Sequence, residues 1–155
     1  MRRGEPSGYS FVAVLVLLAI VSFGLAFVGP LWSQQAQRER EQELLRIGTL
    51  YARALASYRD SSPGSDKQYP ASIDALLADT RFVGVVRHLR SPYPDPVNAG
   101  QPWGLLRNEA GRIVGVHSLS AATPLAQGAV APDGTVMPAA AQYSQWKFLA
   151  KPASP

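Results

Sequence analysis

The chain has 155 residues, enough for one modest domain beside an N-terminal apolar segment and too few for a second independent core. It has no cysteine, which excludes a disulfide framework, a thiolate metal site and a cysteine nucleophile. Its formal net charge is +4, but the basic residues are scattered among acids, a poor basis for a nucleic-acid partner.

The first element is an apolar run. After Glu5 there is no formal charge until Arg38, and Tyr9 to Trp32 supplies 24 uncharged residues. A helix needs about 20 residues to cross a hydrocarbon core of about 30 Å, so this run is predicted to span a membrane. Three readings compete: a cleaved signal peptide, a plain anchor, and a retained helix with a second role outside lipid. A secretory signal has an apolar region of about 7–15 residues and a small-x-small cleavage site, which this run lacks. Arg2 and Arg3 precede the run, whereas Arg38, Glu39, Arg40 and Glu41 alternate in sign after it. The positive-inside rule then predicts a single-pass protein with its N-terminus in the cytoplasm and everything after Trp32 outside.

The helix is expected to continue into the stretch from Gln34, where Leu44, Ile47, Tyr51, Leu55 and Tyr58 recur at spacings of three and four. Gly29-Pro30 predicts a kink, because proline lacks the N–H and crowds the preceding turn. The cluster from Ser61 to Ser65 marks the stop. A helix of about two turns is predicted after Ser72 as N-cap, carrying Ile73, Leu76 and Leu77. Prolines at 92, 94, 96 and 102 predict a stiff loop without regular hydrogen bonding. Two antiparallel strands, Trp103–Arg107 and Arg112–Leu119, flank a turn containing Gly111, and Gln145–Leu149 is a third strand with Trp146 and Phe148 on one face. The small-residue stretch between them is expected to be mostly loop. The order predicts an α+β fold: a long N-terminal helix, membrane-spanning in its first half and amphipathic in its second, packed on a small antiparallel sheet.

The leader is more specific than an ordinary anchor. A short basic segment ends in Gly8 and the apolar run begins at once with YSFVAVLVLL. This resembles the class III leader of type IV pilins and type II secretion pseudopilins. The resemblance implies that a prepilin peptidase cuts between Gly8 and Tyr9 and that the new Tyr9 amine is methylated. It divides the chain into a leader (1–8), a transmembrane or filament-core helix (9–32) and a periplasmic pilin-like domain (33–155) that includes the second half of the helix. Tyr69-Pro70 and Pro102-Trp103-Gly104 resemble the corresponding landmarks of the major type II secretion pseudopilin. The family pattern has a glutamate at the fifth residue after the cut, where this chain has Ala13; some minor pseudopilins share that departure. The resemblance implies a structural filament subunit, single-pass in a bacterial inner membrane with its C-terminal domain periplasmic, partnered by prepilin peptidase, other pilin-like subunits and the inner-membrane machinery. The alternative is a single-pass, membrane-anchored periplasmic binding or scaffold domain that never enters a filament.

Chemistry is sparse. There is no HExxH, nucleophile elbow, glycine-rich phosphate loop or paired-carboxylate pattern, so no enzyme, catalytic residue or cofactor is expected. His88 and His117 read as structural or surface residues. Major pseudopilins hold calcium in a C-terminal loop, but that region offers only Asp133 here, and no metal site is predicted. Arg81, Arg87, His88 and Arg90 beside Tyr93 form a basic cluster, read as a solvated loop in preference to a nucleic-acid contact.

Overall fold

A computed structural model describes residues 7–151; within the first helix, the side chains of 7, 8 and 24–31 are outside the description. The chain divides into two compact units, Met1–Gln37 and Arg38–Pro155. Helix α1 is Ser7–Asp60 and α2 is Asp74–Leu77. The strands are β1 (Gly104–Arg107), β2 (Ile113–His117), β3 (Ala129–Val130), β4 (Val136–Met137) and β5 (Lys147–Leu149), with one 3-10 turn at Tyr143–Gln145.

In the first unit the described apolar side chains run from Tyr9 to Phe23. Among the described residues no helix is long and apolar enough to cross a membrane. This corrects the predicted transmembrane span over 9–32, and with it the inner-membrane placement, the cytoplasmic N-terminus and the periplasmic domain. It also corrects the fold class: the architecture is α+β with a small antiparallel sheet, and its described helical side chains lie in two lengths, 9–23 and 32–60, without a membrane-spanning half. The kink expected at Gly29-Pro30 falls within 24–31, outside the described residues.

The second unit is built on the later part of α1. Leu44, Ile47, Tyr51, Leu55 and Tyr58 are all buried and share one core with Ile113, Val116, Trp146 and Phe148. Spacings of three and four put the stripe on one helix face, which a sheet then covers. The approach is closest at Gly48: a Cβ there would stand 2.5 Å from ring atoms of Phe148. The helix ends where Pro63 and Gly64, at φ +77°, cannot continue it. Its last carbonyls are taken up by Ser61 Oγ, which donates to Ser57 O at 2.7 Å, and by Lys67 Nζ, which donates to Asp60 O at 3.0 Å.

The main sheet has the order β1-β2-β5, antiparallel throughout. Gly104 faces His117, Val116 faces Phe148, and a bulge falls between Leu106 and Arg107. The hairpin turn closes through Asn108 and Gly111, the latter at φ +72°, a conformation that suits glycine.

Three local expectations need correction. Ser72 is not the N-cap of α2; Ile73 holds that position with no side-chain cap, and the helix is a single turn. β2 stops at His117, two residues short of the predicted end. β5 begins at Lys147, because Tyr143–Gln145 is coiled as a 3-10 turn. The segment expected to be mostly loop is so, its regular part being β3 and β4, a two-residue ladder closed by a turn in which Asp133 accepts from Thr135 N at 3.0 Å. Alternation is too short there to read from sequence.

Candidate functional site

The residues singled out by the leader gather at the start of α1. Gly8 lies in its first turn, and residues 1–6 of the leader are outside the described residues. Tyr9 follows at 84% exposure, and Ala13 is exposed one turn further on. Tyr9, Val12, Ala13, Val16, Leu17 and Ile20 line a shallow concavity of about 390 Å³ along one side of the helix. Their spacing of three and four places them on a common face. Because Ala13 has only a methyl group, the face is apolar where a longer acidic side chain would have projected from it. The surrounding surface is apolar as well: Phe11, Val14, Leu15, Leu18 and Val21 each keep half or more of their surface exposed.

The second unit holds its polar groups in closed networks. Asp79, 1% exposed, accepts from Arg81 Nε at 2.9 Å and from Arg81 Nη2 at 2.6 Å, and its Oδ2 lies 3.2 Å from His88 Nε2. These hydrogen bonds, Arg81 first, hold the Asp79 carboxyl well below the usual carboxylate range. Arg81 also stacks 3.5 Å above the Tyr58 ring and donates to Ser62 Oγ and Tyr58 O. His88 Nδ1 lies 2.9 Å from Ser57 Oγ. The cluster therefore fastens residues 79–89 to the last turns of α1. It also takes Arg81 and His88 out of the basic group seen in the sequence; Arg87 and Arg90 stay exposed, with Tyr93 half-buried.

Asp95 is equally buried, accepting from Ser118 Oγ at 2.6 Å and from Val97 N at 3.0 Å. Glu41, on α1, accepts from Tyr143 Oη at 2.8 Å and Leu125 N at 2.5 Å. Nothing in the sequence separates these three carboxylates from surface acids; the bonded partners of Asp95 and Glu41 include groups 23 to 102 positions away, and those of Asp79 lie 2 and 9 positions on. Asp133 lies in the β3–β4 turn, where Thr135 hydrogen bonds and then the Lys151 ammonium, 3.7 Å away, hold its carboxyl below the usual carboxylate range. Among the described residues no group of three or more acidic, histidine or cysteine side chains is placed to hold a metal ion. His117 is half-buried in β2 with Nδ1 2.8 Å from Ser118 O. The Tyr51 hydroxyl donates to Tyr93 O at 3.1 Å and accepts from Tyr93 N, while Trp103 Nε1 donates to the same carbonyl at 2.9 Å. These bonds fix the proline-rich loop that the sequence left without partners.

Comparison with protein-family models, curated proteins and solved structures finds no match.

Proposed function

We propose that the chain is a structural, pilin-like subunit that enters a filament by bundling the start of α1 with the same segment of other copies. One observation carries the reading: the helix is apolar on every side from Phe11 to Val21, and its large side chains keep 50–66% of their surface exposed. Covering a Val, Leu, Ile or Phe side chain is worth about 1.5–3 kcal/mol each in water, so such a surface strongly favours association. Like helices are a fitting cover, because an all-round apolar helix belongs in the interior of a bundle. The leader supports the same reading. Cleavage after Gly8 would remove Arg2, Arg3 and Glu5, the only charged side chains ahead of the apolar face.

Intact-mass spectrometry after coexpression with a prepilin peptidase tests the processing step. The expected product lacks residues 1–8 and carries one methyl group on Tyr9. Gly8→Val is expected to block the cut, since a bulky side chain keeps a protease from the backbone there. An unshortened chain beginning at Met1 would sink the proposal.

A further inference from the structure

The clamp at the end of α1 holds more than the Arg81 contacts. Ser57, exposed on the helix, places its Oγ 2.9 Å from His88 Nδ1, and His88 Nε2 lies 3.2 Å from Asp79 Oδ2. Burial deepens in the same order: Ser57 is open to solvent, whereas the side chains of His88 and Asp79 are 4% and 1% exposed. That is the order of a nucleophile, its base and the group that orients the base. No local motif announces it, because Ser57, Asp79 and His88 are brought together only when residues 79–89 fold onto α1.

The hydrogen bonds fix the tautomer. Arg81 donates to both Asp79 oxygens, at 2.9 Å to Oδ1 and 2.6 Å to Oδ2, and keeps the carboxyl ionised. An ionised carboxylate only accepts, so in the neutral imidazole Nε2 carries the proton and Nδ1 presents its lone pair to the Ser57 hydroxyl. The Tyr58 ring packs edge-on at 5.4 Å and holds the imidazole plane. Because Arg81 already shares the Asp79 charge, the carboxylate supports an imidazolium less than a lone one would, which suits reactive acyl compounds and not amides. Cations stand near for the oxyanion: Arg53 lies one turn before Ser57 on the same helix face, with Cβ atoms about 5–6 Å apart, and Arg87 adjoins His88. Both are exposed, and neither has an ion-pair partner among the described residues.

We propose that Ser57 is a nucleophile that accepts the acyl group of small activated esters, with His88 as its base and Asp79 as the positioning residue. Ser57 Oγ attacks the acyl carbonyl as its proton passes to His88 Nδ1; the bond from the acyl carbon to the leaving oxygen then breaks, that oxygen takes the proton, and an acyl-Ser57 ester and a free alcohol result. Every residue involved lies in the second unit, Arg38–Pro155, so the bundling of residues 9–21 stands or falls separately.

The test treats the full-length chain with p-nitrophenyl acetate and maps the acetyl groups by peptide mass spectrometry. In the folded chain Ser57 is expected to be acetylated about 100-fold faster than the exposed Ser61 and Ser91, the low end of what a positioned base contributes, and in urea the three should react alike. Asp79→Asn, checked as folded by its urea transition, should lower the ratio of Ser57 to Ser61 acetylation about tenfold or more, because the imidazole loses the partner that fixes its tautomer. Mere loosening of the clamp would not do so, since a freed Ser57 stays as accessible as before. An advantage of Ser57 under about tenfold in the folded chain, an advantage that persists in urea, or an unaltered ratio in folded Asp79→Asn would each overturn the proposal.

Discussion

At Gly48 the helix meets the sheet without a side chain between them. Helix propensity alone favours alanine over glycine by about 1 kcal/mol, yet the added methyl would stand 2.5 Å from the Phe148 ring. The ring is 3% exposed and has no open side to move toward, so overpacking, worth about 1–3 kcal/mol, should prevail. Gly48→Ala is therefore expected to lower the urea midpoint, and an unchanged or higher midpoint would show that the ring can step aside. Asp79 makes a second prediction at this scale. Its carboxyl is held more acidic in the folded chain than in the unfolded one by Arg81. Its contribution is present above the ordinary carboxylate range and is lost as the pH falls from about 5 towards 2. Asp79→Asn should flatten that part of the acid-stability profile measured by denaturant titration. Arg81→Met strands a buried carboxylate and should cost about 3–5 kcal/mol at neutral pH. Neither glycine nor aspartate was legible in advance, because a lone Gly in a helix and an Asp beside an Arg look the same whether packed or solvated.

Among the elements, the amphipathic stretch of α1 was the most readable. Five side chains at helical spacing predict one buried face, and all five are buried. The main hairpin was readable for the same reason, since Asn108 and Gly111 are turn residues between two alternating runs. The shortest elements were the least readable: α2, β3 and β4 are each four residues or fewer, about one repeat of their own period, and they exist because tertiary bonds hold them. His88 N and Leu89 N both donate to Leu76 O, which stabilises the end of α2 from outside. The core cluster lies entirely between Leu44 and Phe148. A fragment beginning at Gln34 is accordingly expected to unfold in one cooperative transition. Leu55→Ala in that fragment should cost about 2–5 kcal/mol, as truncation of a fully buried leucine does. A loss under about 0.5 kcal/mol, the level of ordinary surface changes, would contradict the packing described.

For the molecule as a whole, hydropathy and charge bias pointed to a membrane span that the described helix does not provide. A run of uncharged residues reports how unwelcome water is, and leaves open whether lipid or protein replaces it. Ala13 was visible as a departure from the pilin pattern; that it lies on a groove with Tyr9, Val16 and Ile20 required coordinates. The bundling of that face is tested most directly by disulfide crosslinking, which the absence of native cysteine makes unambiguous. Single-cysteine variants from Val12 to Val21 would be coexpressed with prepilin peptidase and filament machinery and oxidised, and dimer yield scored against position. The account predicts strong crosslinking that rises and falls with the helical period of about 3.6 residues. Background-level yield at every position, with processing confirmed by mass, would contradict it.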